Sequence, residues 1–408
     1  MAALQRDVGD DVNNDLPEWV TSAARFVDDP LSRARSLRFL IERNASENDR
    51  LGRLTDESAR ALCESGLLGL LVPRELGGIE ADPGLYIDVI EELSYADGSF
   101  GWVTMATTFT IMGAAAWLGP VAVAAMFDGR NGFAAAGQIA PNGVAERVPE
   151  GYRISGQFHF GSGSQLSSWF LGAFVLHEKG EPVRHAHGSP KILWAFGPRE
   201  LVHIDPLSWD VMGLRGTASH DFRFLDQVVH EDFVLSLPLE RLRGGAALDI
   251  GVSMGHVSFS LGVGTRILDE LRDLAKRKQR EGRATLIDQP NFERDYGMMR
   301  GEMEAARAYV RSAFDEWHRD AQANGTASLE TRAKARLAAC WGTRISTQVA
   351  QFAYVAAGSD GLRNDPENRL QRCYRDVGAS AVHRHVDDNV LIEAATVLLG
   401  IASPSLQL

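Results

Sequence analysis

The sequence predicts an α+β protein made of three consecutive parts: an N-terminal helical domain, a central β-barrel or sandwich, and a C-terminal four-helix bundle. Three observations carry this. Apolar residues recur at helical spacing up to about residue 128, short alternating runs fill about 131–236, and long amphipathic helical patterns resume near 245. The domain limits read as 1–130, 131–236 and 237–408.

In the first part, FLIERNASENDRLGRL mixes charges with spaced apolar positions, and LTDESARALCESGLLGLL opens on Thr55 as an N-cap with Glu57 close behind. VPRELGG, 72–78, supplies Pro and Gly stops. From Trp102 to Met126 no charge occurs over about the length of a membrane span. Its threonines and the Gly119-Pro120 break predict instead a buried helix followed by a second short one. In the second part, GYRISGQFHF, SSWFLGAFVL, PKILWAFGP and DFRFLDQVVHEDFVL read as strands. HEKGEPVRHAHGSP, 177–190, reads as an exposed hairpin loop, with His185 and His187 as a metal pair the lesser alternative. In the third part, SFSLGVGTRILDELRDLAKRKQ, FERDYGMMRGEMEAARAYVRSAFDEWHRDA, TRAKARLAACWGTRISTQVAQFAYVAA and DNVLIEAATVLLG are four amphipathic helices joined by short connections, the pattern of a bundle.

Bulk composition bounds the function. The 408 residues are 45% hydrophobic and 24% charged, enough for a sizeable core. A formal charge of −12 argues against a nucleic-acid partner or an anionic membrane surface, and KRKQR at 276–280 is too short to reverse this. Cys63, Cys340 and Cys373 form no CxxC pair, which points to a reducing, cytoplasmic location and away from zinc. The first thirty residues are acidic without an apolar core, so no secretory signal is expected, and MAALQRDVGDDV reads as a disordered lead. GxGxxG, Walker and HExxH motifs do not occur.

The stretch RDVGASAVHRHVDD, Arg375 to Asp388, packs two histidines and two aspartates into its last six residues. It admits a metal site, a catalytic histidine at a helix end, or a solvated helix terminus. If helical, His383 and His385 diverge by about 200° and share no metal, so no metal site is expected. His383 as a satisfied histidine at a helix C-terminus stays open. Asp387, four residues on, is placed to orient the His383 ring, and Asp388 or Asn389 to cap a following helix.

Four strings in order resemble the acyl-CoA dehydrogenase fold over nearly the whole chain. They are LCESGLLGLLVPRELGG, WDVMGLRGTASHDFRFLDQVVHEDFVL, GRATLIDQ followed by EAARAYV, and LQRCYRDVGASAV. Acyl-CoA dehydrogenases in this superfamily use a glutamate base and FAD. Aligned on Arg375-Asp376, the position of that base falls on Arg384, and an arginine stays protonated. Its alternative location falls on Val252 or Met254, with Asp249 the nearest carboxylate.

The other branch of the superfamily comprises two-component flavin-dependent monooxygenases, among them oxygenases acting on p-hydroxyphenylacetate, dibenzothiophene and steroid-ring phenols. These take reduced flavin from a separate reductase and react it with O2. Their histidine seven residues after the "RD" string lands on His383, and FHFGSGSQLSSW and AGQIAPNG resemble this branch's flavin-facing strings. The resemblance implies His383 as the catalytic residue and reduced FMN or FAD as cofactor. A small, possibly aromatic substrate, a reductase partner and a homotetramer follow with it. It places Ser162, Ser164, Gln138 and Trp209 near the flavin ring, Arg277 and Arg363 as phosphate candidates, and Gln289 toward a neighbouring subunit's FAD. Arg215 in GLRGT reads as a structural residue that fixes its turn. A second histidine common in the branch falls on Thr110. The alternatives are an acyl-CoA dehydrogenase with its base moved to Asp249 or Glu393, and a flavin-free helical scaffold.

Overall fold

Helix starts and stops follow local capping chemistry. The computed structural model describes residues 16–401 except 131, 187, 237–240 and 280; the lead at 1–12 and His187 lie outside the described residues. Six helices come first: α1 (Glu18–Thr21), α2 (Pro30–Leu51), α3 (Asp56–Glu64), α4 (Pro83–Ala96), α5 (Gly98–Trp117) and α6 (Pro120–Phe127). Asp29, Thr55 and Asp82 cap α2, α3 and α4 by accepting backbone N–H groups two or three residues into each helix. The VPRELGG stop is a single 3₁₀ turn, Arg74–Leu76, closed by Gly77 at φ 76°. The chain breaks at Leu118 and Gly119, so the uncharged stretch forms two helices, α5 nearly all buried. Among the described residues no helix is long and apolar enough to cross a membrane.

Eight strands follow: β1 (Ala135–Val148), β2 (Gly151–Gly161), β3 (Trp169–Glu178), β4 (Glu181–Pro182), β5 (Ile192–Pro198), β6 (Val202–Asp205), β7 (His220–Val229) and β8 (Val234–Ser236). They make one mixed sheet in the order β6-β7-β2-β1-β3-β5-β8, with β4 on β3. Only β1 and β3 pair in parallel among these strands. Phe158, Phe170, Phe174, Phe222 and Phe224 point to one side and pack ring against ring, with Phe158 and Phe222 stacked at 5.3 Å. AGQIAPNG, one of the flavin-facing strings, belongs to β1. Its ladder slips at Gly137, Pro141 and Gly143, because proline gives the sheet no N–H donor. DFRFLDQVVHEDFVL, read as one strand, divides into β7 and β8. The 3₁₀ turn Glu231–Phe233 passes the chain from β2's side of the sheet to β5's.

The third part contains α7 (Val252–Ala275), α8 (Pro290–Asn324), α9 (Leu329–Ala357), α10 (Ser359–Leu362), α11 (Arg369–Ser380) and α12 (Asp388–Leu398). α7, α8 and α9 pack together, α11 lies against α7 and α9, and α12 lies on α9. The fourth bundle member is thus α11, with α12 outside. α7 also packs closely on α4. A Cβ on Gly262 would stand 2.4 Å from the Glu91 carbonyl, so only glycine fits there.

Candidate active site

Strained backbone concentrates at one place. Among the described residues, six non-glycine positions have positive φ, and three of them, Phe160 (61°) at the end of β2 and Leu214 (56°) and Ala218 (46°) before β7, flank two loops that bind each other. Such conformations cost roughly 1–3 kcal/mol apiece and persist where surroundings enforce them, often at functional sites. Here Gly163 N–H donates to the Thr217 carbonyl at 2.9 Å, and Ser164 Oγ donates to the Ala218 carbonyl at 2.7 Å. Ser162 Oγ meets Ser219 Oγ at 2.7 Å, and Ser219 Oγ meets Thr217 Oγ1 at 2.6 Å. Gly163 has φ 77°, and a Cβ there would lie 2.8 Å from Thr107 Oγ1, a buried hydroxyl with no partner among the described residues.

Ser162 connects these loops to the helices by accepting the Trp102 indole N–H at 3.1 Å. The Trp102 ring then stands edge-on to His256 (5.4 Å), Phe259 (5.1 Å) and His383 (5.6 Å). His383 lies 5.3 Å from His256 and 5.2 Å from His385, between ring centres. It sits in the turn between α11 and α12, where its Nδ1 accepts the His385 backbone N–H at 3.4 Å; the neutral ring therefore carries its proton on Nε2. Burial, with Arg384 nearby, lowers the His383 pKa to about 4. Burial and the neighbouring His383 lower His256 and His385 each to about 3. The three rings are neutral at neutral pH, a condition that lets imidazole donate and accept at once.

The helix before this turn is anchored by Arg375 and Asp376. The Arg375 guanidinium binds the Asp49 carboxylate through two nitrogens, at 3.0 and 2.8 Å. Asp376, fully buried, accepts the Leu214 N–H at 2.6 Å. α11 is thereby tied both to α2 and to the strained 214–218 loop.

Of the residues singled out from sequence, Ser162 and His383 come together through Trp102. Ser164 is close by but committed: besides Ala218 it meets His220 Nδ1 at 2.8 Å, and it is buried. Gln138 Oε1 accepts from the His159 N–H and from Asn142 Nδ2, which places it beside Phe160. Trp209 donates to the Arg215 carbonyl and meets the Phe160 ring at 6.3 Å. Arg215 in turn donates to the Asp49 and Val211 carbonyls, the turn-fixing role read from the sequence.

Arg277, Gln289 and Arg363 lie elsewhere. α7 has 24 residues and runs about 36 Å at roughly 1.5 Å per residue, with His256 near its start and Arg277 just past its end. The Leu286 N–H to Lys278 carbonyl bond and the Lys278–Asp360 ion pair gather the Gln289 and Arg363 segments at that same far end. Arg277 and Arg363 are exposed and have no ion pair among the described residues.

Several expectations change. Asp387 does not orient His383. It is the N-cap of α12, its carboxylate taking the Asn389 and Val390 N–H groups, so the cap is one residue earlier than Asp388 or Asn389. Asp249 is no free base, since it accepts from Trp317 Nε1, the Ala327 N–H, Thr326 Oγ1 and Arg332. Glu393 pairs with Arg336 at 3.1 Å. Thr110 Oγ1 turns back to the Ala106 carbonyl, two helical turns beyond Trp102. The 383–387 segment is a turn, so His383 and His385 do approach; even so, no group of three ligands able to hold a metal occurs among the described residues.

Three residues were missed, among them Trp102, which stood out only as the start of the uncharged stretch. His256 sits in the small, apolar run MGHVSFSLGVG, where a histidine reads as core. Phe160 is 64% exposed at positive φ, which only the coordinates reveal. An exposed, strained phenylalanine beside Trp209 and Gln138, together with the unpartnered Thr107 hydroxyl, fits a planar heteroaromatic group such as a flavin ring.

Known proteins bear on this geometry. The model "Acyl-CoA dehydrogenase, N-terminal domain" matches residues 34–122, and "Acyl-CoA dehydrogenase, C-terminal domain" matches 254–388. Indole-3-acetate monooxygenase of Pseudomonas putida is 27% identical over 366 residues, covering 87% of this chain and 89% of that one. The crystal structure of 3-HSA hydroxylase from Rhodococcus sp. RHA1 superposes with a TM-score of 0.82 at 23% identity, covering 92% of this chain and 98% of that one. XiaF from Streptomyces sp., in complex with FADH2 and glycerol, also gives 0.82 at 23% identity, over 93% and 96%. With the two models spanning more than half of its length on either side of the sheet, the chain belongs to the acyl-CoA dehydrogenase family.

Proposed function

We propose that this protein is the oxygenase component of a two-component flavin-dependent monooxygenase. In this reading it takes reduced FMN or FAD from a separate reductase and uses O2 to hydroxylate a small aromatic substrate. The observation that carries the reading is the neutral His383 imidazole, set against Trp102 beside the strained flavin-type loops, while Asp249 and Glu393 are bound to other groups. A dehydrogenase needs an ionised carboxylate to take a carbon-bound proton; a monooxygenase needs a group that can hydrogen-bond oxygen and exchange a proton with a hydroxyl.

When bound, reduced flavin supplies the electrons that activate O2. Gln138, Phe160, Ser162 and Trp209 would meet its ring. The Phe160 and Trp209 rings give it apolar faces, and Ser162, already fixed by Trp102, has hydrogen-bonding capacity left. His383 would present Nε2–H to the reacting oxygen and relay the substrate's hydroxyl proton. The Trp102 ring, backed by the buried Phe259, makes that side aromatic, which suits an aromatic substrate. Relatives named for indole-3-acetate and 3-HSA oxidation agree with that class.

Arg277, Gln289 and Arg363 lie too far from His383 to share its flavin ring within one subunit. They would serve the phosphate end of a cofactor that a neighbouring subunit shares. A homotetramer built through the bundle would also cover Trp341, Val355, Ile392, Leu399 and Ile401, all exposed on or beside α9 and α12. Free Cys63, Cys340 and Cys373 suit a reducing cytoplasmic location.

The test is anaerobic titration with reduced FMN and reduced FAD, followed by mixing with 18O2 and indole-3-acetate or a simple phenol. Tight binding of a reduced flavin and one 18O atom in the product are expected. Failure to bind either reduced flavin, or bleaching of bound FAD by an acyl-CoA, would refute the proposal.

A further inference from the structure

His256 is fully buried one turn into α7, and the chemistry proposed above gives it no part. Its Nε2 lies 2.9 Å from the Ser380 carbonyl, and the same carbonyl accepts the backbone N–H of His383 at 3.1 Å. A carbonyl only accepts, so the ring proton is on Nε2, and Nδ1 faces the Thr343 hydroxyl at 3.3 Å. Ser380 ends α11, whose last carbonyls have no partner within the helix. One oxygen thus joins the His256 ring, the end of α11 and the start of the His383 turn. With both nitrogens engaged and no exposed surface, His256 does not itself touch substrate.

We infer that His256 is a positioning residue for His383: through the Ser380 carbonyl it fixes where the turn begins, and so where the catalytic imidazole stands against Trp102. The catalytic meaning rests on the monooxygenase reading; the positioning does not. Displacement by about 1 Å can cost on the order of 100-fold in rate, so such a strut has leverage.

His256→Gln keeps an amide donor near the Nε2 position and reaches Ser380. His256→Asn reaches only toward Thr343, and His256→Phe keeps ring volume with no donor. In the full-length chain without flavin, hydrogen–deuterium exchange at histidine C2, read by mass spectrometry, titrates each ring separately. Trypsin cleaves after Arg384 and so parts His383 from His385. The His383 midpoint, set by burial and Arg384 with His256 and His385 alongside, should match wild type in the Gln variant. It should rise by about one pH unit or more in the Asn and Phe variants, as the turn loosens and takes up water. Equal midpoints in all four proteins, or an equal shift in all three variants, would overturn the inference. So would loss of folding in both the Asn and Phe variants while Gln folds, because His256 would then be structural. Reduced-FMN binding by wild type, measured in parallel, separates this result from the flavin reading: absence of binding with the Gln/Asn contrast intact sinks the flavin and leaves the strut.

Discussion

Asp376 and Leu214 are 162 positions apart, yet the Asp376 carboxylate accepts the Leu214 N–H at 2.6 Å. That bond crosses from the helix before His383 to the strained loop of the β-domain. Burial, and then the neighbouring Asp97, push the Asp376 pKa up to about 7. The native state therefore binds this proton more tightly than the unfolded chain does. The group's contribution is complete below about pH 4 and is lost as pH rises to 7. Between pH 5 and 8, wild type should lose on the order of 3 kcal/mol relative to Asp376→Asn, which cannot ionise. Denaturant unfolding of both proteins across that range is the check; a pH-independent difference would contradict it.

Phe160 holds a left-handed backbone with its ring mostly exposed. Phe160→Gly removes strain worth about 1–2 kcal/mol and gives up little buried surface. The variant's melting temperature should stay equal or rise, while its affinity for reduced flavin falls about tenfold or more. Unchanged affinity, by equilibrium titration, would show that the ring does not serve the cofactor.

Asp249 ties the start of α7 to α8 and α9 through four hydrogen bonds. Asp249→Asn should destabilise the protein by about 1–3 kcal/mol, since buried donors lose a charged acceptor. Its oxygen chemistry should not change. Lost activity at unchanged stability would instead give Asp249 a catalytic role.

Much of the fold was legible because periodicity reports burial directly. The α5–α6 break at Gly119 and the Thr55 cap are local chemistry, and local chemistry is written in neighbouring residues. β1 was hidden because Pro141 and two bulges interrupt its alternation. His383 was found through its place after Arg375-Asp376, but its surroundings were not. Trp102, His256 and Ser162 arrive from three distant segments, and nothing in their own neighbourhoods marks the meeting. Ser164 shows the converse: it resembled a flavin contact, and its hydroxyl proton is held by the Ala218 carbonyl, 54 residues away. The separation of Arg277, Gln289 and Arg363 from His383 is a property of helix length and packing that no short string encodes.

The central claim is that His383 handles oxygen chemistry on a reduced flavin. The direct measurement is stopped-flow reoxidation of protein-bound reduced FMN or FAD on mixing with O2, for wild type and His383→Ala. Wild type should reoxidise the flavin in two resolved phases. The substitution should leave flavin binding intact, hasten the second phase and cut product by about 100-fold, the scale of lost acid–base assistance. A single phase matching free flavin, the same in both proteins, would contradict the account.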